Sequence, residues 1–140
     1  KSNFALFKDN GVRYIKKVVL AVRPNSKDIN KLISISSRLC SFYKSELTIL
    51  HVLKNEEYQN KEQILMKSEE LIYNEKISAN IRIEKSSNPI KCVSNITSEY
   101  DLLILGTPRK DTLIRMLFGT GKDDFAAKST CSVLRLTITR

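Results

Sequence analysis

Short apolar runs alternate along this chain with longer segments whose apolar residues recur every three or four positions. The first run, residues 18–22, is valine-rich and wholly apolar, which is typical of a strand covered on both faces. The segment at about 27–43 has the apolar spacing of an amphipathic helix, with Ser26 as its predicted N-cap and Asp28 at its positive end. This alternation of strand and helix predicts an α/β fold.

The pattern predicts five strands, the third more exposed than the others. They are expected at residues 18–22, 46–53, 79–84, 101–105 and 132–138. Besides the first helix, we expect a single helix after residue 55, a shorter one opened by Pro89, and another at about 120–129. Strands that alternate with helices imply an open five-stranded parallel sheet with helices on both faces.

Residues 1–15 do not fit this rhythm. Their apolar residues, which include Phe4, Leu6 and Phe7, could pack as a lead-in or form the end of a linker from an upstream domain, so the domain is assigned to residues 16–140. The last strand, 132–138, is expected at the edge of the sheet, where its unpaired backbone groups would form the seam of a homodimer.

The composition is that of an ordinary globular domain with an excess of basic residues. Its 140 residues fit one domain, and no stretch approaches the length of a membrane span. The formal net charge of +9 favours anionic partners such as nucleotides, nucleic acid or an acidic membrane surface. Nucleic acid is the minor alternative, because the chain has no Trp and its other aromatic residues are scattered.

The cysteines and the single histidine predict packing rather than chemistry. Cys40, Cys92 and Cys131 lie far apart without a CxxC pair, which argues against disulfides and zinc and favours buried thiols in a reducing, cytoplasmic compartment. His51 lies in a largely apolar run, so we expect a packed imidazole and no metal site. No nucleophile–base pair is evident, and no catalytic residue is assigned.

The loop after the fourth predicted strand carries the candidate chemistry. It reads Gly106-Thr-Pro-Arg109, then nine residues, then Gly119-Thr120-Gly121 before a predicted helix. Backbone N–H groups at a helix start can hold a phosphate, and glycine lets an anion approach closely. The alternative is that Gly106 and Gly119 are turn residues that need a positive φ.

At these residues the chain resembles the universal stress protein family, over about residues 16–138. The loop matches the spacing of the family's glycine signature, and 46–52, 101–106 and 129–134 are similar to its second, fourth and fifth strands. The resemblance implies a Rossmann-like sheet of order 3-2-1-4-5, as in adenine-nucleotide alpha hydrolases, and a dimer through the last strand. It also implies ATP or another adenine nucleotide, with Mg²⁺ only where ATP is bound.

The family's binding residues are carried over by position. Ala21 and Arg23 would lie beside the base and ribose, and Leu47 and Leu105 would contact adenine. The loop residues implied are Gly106, Pro108 and Arg109, and the phosphate residues are Gly119, Thr120 and Gly121.

Two of these positions depart from the family. Arg23 stands where ATP-binding members commonly have an acidic residue, and Arg109 replaces a glycine. Arginine cannot accept a hydrogen bond, but it can form bidentate bonds to phosphate. Arg109 would therefore either clamp an anion or plug the pocket. We expect an altered or lost nucleotide site, with some anionic ligand favoured.

Three functions compete at this point. The first is a non-catalytic regulatory domain that binds an adenine nucleotide or a related anion. The second is a ligand-free dimerisation or interaction domain, such as the cytoplasmic appendage of a membrane transporter or sensor. Slow ATP hydrolysis ranks last, because the acidic pair Asp123-Asp124 is better explained as stabilising a helix start.

Overall fold

The computed structural model describes residues 4–8, 14–106 and 131–138, and its strands form one six-stranded sheet. The strands are β1 (Phe4–Lys8), β2 (Lys17–Ala21), β3 (Glu46–Leu53), β4 (Asn80–Lys85), β5 (Leu102–Gly106) and β6 (Ser132–Thr137). The helices are α1 (Ile29–Tyr43), α2 (Asn55–Tyr58), α3 (Lys61–Asn74) and α4 (Pro89–Ile96), with a 3-10 turn at Thr97–Glu99.

The five predicted strands are β2 to β6, and their order in space is confirmed. The sheet runs β1-β6-β5-β2-β3-β4, and all pairs among β2 to β6 are parallel. Counted as the sequence predicts them, these five strands have the order 3-2-1-4-5. The helix expected at about 120–129 lies outside the described residues.

The sixth strand corrects the prediction for both ends of the chain. β1 pairs antiparallel with β6, from Phe4 opposite Thr137 to Lys8 opposite Val133. Residues 4–8 therefore belong to the sheet, and β6 is not its edge, so the expectation of an uncovered last strand is wrong. The sequence pattern missed this pairing because it joins segments about 130 residues apart, and local periodicity does not report which distant edge a strand joins.

Two hydrophobic layers cover the sheet. On the face of α1 and α3, the buried core includes Val18, Leu20, Leu32, Ile33, Ile49 and Ile104. On the face of α4, it includes Val19, Leu50, Val93, Ile96, Leu103 and Leu105. Successive residues of β2 and β5 thus point to opposite layers, which is why both strands are continuous apolar runs.

Two details of the helices differ from the predictions. The expected single helix after residue 55 is divided into α2 and α3 at Gln59 and Asn60. Asp28, not Ser26, is the N-cap of α1, and the Ser26 hydroxyl instead accepts a 3.3 Å bond from the Asp28 N–H. Serine and aspartate side chains bond readily to nearby backbone groups, so such residues indicate a helix boundary without fixing it to one position.

The amino ends of β2 and β5 are tied together by one carboxylate. Asp101 Oδ2 accepts hydrogen bonds from the backbone N–H groups of Lys16 and Lys17, both at 2.9 Å. These bonds fix the start of β2 beside the start of β5. The parallel register then places Ala21 opposite Leu105 at the other end of the two strands. Within the described part of the chain, no helix has the length and apolarity needed to cross a bilayer.

Candidate functional site

The carboxyl ends of β2 and β5 lie side by side in the middle of the sheet. Ala21 is level with Leu105 on one side and with Leu50 of β3 on the other. From β2 the chain passes by way of α1 to β3, while β5 lies on the opposite flank of β2. Ligands of open parallel sheets bind at such a switch point. The segment that follows β5, from residue 107, lies outside the described residues.

β2 is shorter than its neighbour β3, and the step between their carboxyl ends is called the recess below. β2 ends at Ala21, although Val22 N–H still donates to Leu50 O at 3.1 Å. β3 continues for three residues past Leu50 to Leu53, or about 10 Å further at ~3.3 Å per residue. Arg23 therefore leaves the sheet beside a protruding strand.

Arg23 contributes a positive charge to this recess. Its side chain is 69% exposed, and its Nη2 lies 3.6 Å from Glu57 Oε1 of α2. The same Glu57 oxygen accepts the Lys54 N–H at 3.3 Å, which holds the carboxylate at the end of β3. Sequence reasoning missed Glu57. The available signal was its position four residues after the end of β3, at the third position of α2, where a helix-capping carboxylate is common.

A buried histidine holds the backbone beneath Arg23. His51 Nδ1 lies 2.7 Å from Val22 O, and since a carbonyl oxygen only accepts, Nδ1 carries a proton and donates. Burial lowers the pKa of His51 below its ordinary 6.5, while the bond to Val22 O acts in the opposite direction. The predicted packed imidazole is confirmed.

The other nitrogen of His51 contacts a serine on α3. His51 Nε2 lies 3.1 Å from Ser68 Oγ, which is also 2.8 Å from Ile64 O. With a neutral imidazole, Nε2 is an acceptor, so the single hydroxyl proton of Ser68 serves either Nε2 or Ile64 O. Although the pair resembles a nucleophile and its base, Ser68 is only 8% exposed and lies inside a helix. We interpret it as a buried hydrogen bond between β3 and α3.

A groove of about 910 Å³ opens beside the Arg23 turn, between the start of α1 and helices α2 and α3. Its polar lining includes the amides of Asn25, Asn30 and Asn60 and the charged Lys27 and Glu57. The groove therefore offers donors, acceptors and both signs of charge next to the turn that follows Arg23, although no residue of β2 or β5 lines it.

Gly106 ends β5 for a reason that the sequence did not reveal. A Cβ at this position would lie 2.9 Å from Cδ1 of Leu32, a buried residue of α1. The φ of Gly106 is outside the left-handed region, so the explanation by a positive φ is wrong here. A larger residue here would have to displace the end of the Leu32 side chain, because α1 packs directly against the end of β5.

The predicted site residues separate into three groups. Ala21, Arg23 and Gly106 meet at the carboxyl edge, with Leu105 beneath them, only 2% exposed in the α4 layer. Leu47 does not join them, since it is level with Val18 at the amino end of the sheet and is 3% exposed. The remaining five, Pro108, Arg109, Gly119, Thr120 and Gly121, lie outside the described residues.

None of the three cysteines forms a disulfide in the described part of the chain. Burial raises the pKa of Cys40 to about 11, and it also raises the pKa of Cys92, so both thiols are protonated at neutral pH. Among residues 4–8, 14–106 and 131–138, no group of three or more His, Cys, Asp or Glu side chains could hold a metal ion.

Comparison with solved structures identifies similar folds. A protein of the universal stress protein family from Burkholderia pseudomallei has a TM-score of 0.63 at 11% identity, covering 86% of this chain and 95% of its own. A universal stress protein in complex with cAMP has a TM-score of 0.65 at 16% identity, covering 90% and 99%. One from Archaeoglobus fulgidus in complex with dAMP has a TM-score of 0.64 at 14% identity, covering 86% and 97%.

Neither the models of known protein families nor the curated protein sequences gave a match to this chain. Identities this low carry information about the fold and not about individual side chains. The chain therefore has the fold of the universal stress proteins, and the resemblance that the sequence indicated is confirmed at the level of the fold.

Proposed function

We propose that this chain is a non-catalytic regulatory domain that binds an adenine nucleotide, or a related anionic ligand, at the carboxyl edge of β2 and β5. One observation carries the proposal: an arginine with a largely exposed side chain, Arg23, stands at the switch point of a parallel sheet, beside a groove of about 910 Å³. The structural neighbours solved with cAMP and dAMP support adenine nucleotides as the first ligands to test.

The ligand contacts would differ from those that the family resemblance implies. Arg23 has only donors, so it would bond to an anionic group of the ligand and not receive hydrogen bonds from a ribose. Glu57, held by the Lys54 N–H, brings a carboxylate into the same recess and could take the acceptor role that an acid at position 23 would have. The hydrogen-bond acceptor of the site would then come from Glu57 of α2 and not from position 23.

The Arg23–Glu57 ion pair would compete with a bound anion. Its closest distance is 3.6 Å and the Arg23 side chain is 69% exposed, so the pair is weak and can open. Opening frees the guanidinium for phosphate, which forms stronger, bidentate bonds with arginine. Ligand binding would thus rearrange the contact between the β2 turn and α2, a local change that a regulatory domain could pass to a partner.

Isothermal titration of the full chain with ATP, AMP and a cyclic dinucleotide tests the proposal. We expect Arg23→Gln to weaken binding about tenfold, the equivalent of about 1.4 kcal/mol from one charged contact. Arg38→Gln is the matched control, since Arg38 is an exposed arginine of α1 nine positions beyond its first residue. Equal loss in both variants would indicate a general charge effect and contradict the assigned site.

A second candidate function is a ligand-free interaction domain. It is favoured by the burial of Leu105, which leaves little apolar surface for a base at the end of β5. No binding heat with any of the three ligands, at protein concentrations that detect millimolar affinity, would leave this candidate in place of the first.

A further inference from the structure

Large apolar side chains are exposed mainly at one end of the sheet. Six are exposed among the described residues, and four of these come just before strands β2, β3 and β4. They are Tyr14 before β2, Phe42 and Tyr43 at the end of α1, and Tyr73 in the last turn of α3. The three strands are parallel, so these residues lie at the amino end of the sheet, opposite the carboxyl edge. Since neighbouring strands lie about 4.8 Å apart, the three strand starts span only about 10 Å.

Exposed lysines accompany these aromatic residues. At each strand start, at least one exposed lysine lies within three residues of the aromatic side chain. These lysines are Lys16 and Lys17 after Tyr14, Lys44 after Tyr43, and Lys76 after Tyr73. The ion pairs among the described residues join other side chains. We call the four aromatic residues and these four lysines the amino rim.

Two lysines of the amino rim have a backbone conformation that favours glycine. Lys44 and Lys76 both have a φ of 55°, and they are the two non-glycine residues with a positive φ in the described part of the chain. Each comes directly after the end of a helix, where glycine is the usual residue because a Cβ is strained in this region. A lysine in the last turn would serve the helix dipole without this strain. The two positions therefore favour a role for the charges outside the helices.

We propose that the amino rim docks the domain on an anionic lipid bilayer. Aromatic rings rest at the level of the lipid headgroups, and lysines beside them attract anionic lipids. In this orientation the parallel strands run away from the bilayer, so the carboxyl edge with Arg23 stays open to solvent. The proposal is independent of nucleotide binding.

The composition of the amino rim favours lipid over a macromolecular partner. Lysine is depleted in the cores of protein–protein interfaces, whereas half of the rim residues are lysines. Single-stranded nucleic acid stacks its bases on aromatic side chains along a basic groove. No rim residue lines the groove beside Arg23 or the groove between β4 and α4. A flat bilayer surface needs no groove.

Acidic groups at the same end limit what charge alone can do. Glu46 and Glu75 are exposed there, and the carboxylate of Asp101 is bonded to the backbone N–H groups of Lys16 and Lys17. The rim lysines outnumber these carboxylates only narrowly. Rings and lysines must therefore both contribute to docking, and removing either set should weaken it.

Sedimentation of the full chain with lipid vesicles tests the proposal. We expect binding to phosphatidylcholine vesicles that contain about one-third phosphatidylserine, and much weaker binding to phosphatidylcholine alone. Added salt should weaken the binding, because it screens the attraction between lysines and lipid headgroups. No binding to the phosphatidylserine vesicles, or equal binding to both kinds, would overturn the proposal.

The double variant Lys44→Gly/Lys76→Gly separates docking from stability. Glycine adopts a positive φ without strain, so the midpoint of urea unfolding should not fall. Vesicle binding should weaken about 25-fold, from about fivefold for each lysine. The control Lys31→Gln/Lys91→Gln also removes two exposed lysines, from the first turns of α1 and α4 at the opposite end of the sheet. An equal loss in the control would show an effect of net charge and overturn the assigned surface.

A second pair of variants tests the rings. We expect Phe42→Ser/Tyr73→Ser to weaken vesicle binding at least about tenfold, and Met66→Ser, which changes an exposed apolar residue elsewhere on α3, to leave it unchanged. Wild-type binding by the serine double variant would overturn the proposal. So would binding of a single-stranded oligonucleotide in place of vesicles, since the rim would then serve nucleic acid. Should the serine double variant fail to fold, the glycine variant decides alone.

Discussion

Replacing Gly106 with alanine tests the packing that holds the end of β5 against α1. The added Cβ would lie 2.9 Å from Leu32 Cδ1, 3.7 Å from Cδ2 and 3.9 Å from Cγ, so the leucine side chain must move. Leu32 is only 2% exposed, and displacing a side chain in a packed core costs about 1–3 kcal/mol. We therefore expect Gly106→Ala to lower the free energy of unfolding by that amount.

A double-mutant cycle isolates the cause. Leu32→Ala removes all three atoms that the new Cβ would meet and by itself costs about 2–5 kcal/mol. In that background Gly106→Ala should be neutral, or stabilising by up to about 1 kcal/mol, since it reduces the freedom of the unfolded chain and its φ is not left-handed. The expected coupling between the two substitutions is therefore about 1–4 kcal/mol.

Urea unfolding followed by far-UV circular dichroism measures all four proteins, because the chain has no Trp to report by fluorescence. The same four proteins titrated with AMP separate packing from ligand contact. An equal cost of Gly106→Ala in both backgrounds would refute the contact with Leu32. Loss of AMP binding with unchanged stability would show that the glycine serves the ligand instead.

Two further substitutions test the hydrogen bonds that position β2. Because burial lowers the pKa of His51 in the folded state, its imidazole becomes protonated in the unfolded chain first. Wild-type stability is thus complete above about pH 6.5 and falls below it by up to about 1.4 kcal/mol per pH unit until the folded pKa is reached. His51→Gln should lack this slope in urea titrations from pH 7.5 to 5, and a parallel slope in the variant would contradict the assignment. Asp101→Ala should cost about 1–3 kcal/mol by leaving two backbone N–H groups without their acceptor, and Asp101→Asn distinctly less. Equal costs would show that the carboxylate oxygen is not what ties β2 to β5.

The parallel sheet could be predicted from sequence because its central strands, β2 and β5, are covered on both faces. A run such as residues 18–22 can bury all its apolar side chains only as a strand covered on both faces. The helical spacing between such runs predicts the helices that connect parallel strands. The order of the strands came from the family resemblance. β1 escaped because its five residues carry no periodic signal that distinguishes a sheet edge from a linker, and its pairing with β6 is long-range.

A residue of the candidate site could be predicted from the sequence only where the end of a single strand determines its position. Arg23 and Gly106 follow directly from the ends of β2 and β5. Glu57 and Leu32 come from helices, and which helix residue reaches a strand end depends on packing that the sequence pattern does not show. Leu47 was assigned to the site by resemblance alone, and the register places it at the other end of the sheet.

The central claim, that an anionic ligand binds at the carboxyl edge of β2 and β5, is tested most directly by residue-resolved NMR. We expect titration of the ¹⁵N-labelled full chain with AMP to shift the amide signals of Val22, Arg23 and Gly106 in a saturable manner. The amides of Val18 and Leu102, at the opposite ends of the same strands, should stay in place. Saturable shifts confined to that opposite end, or no shifts at all, would contradict the account.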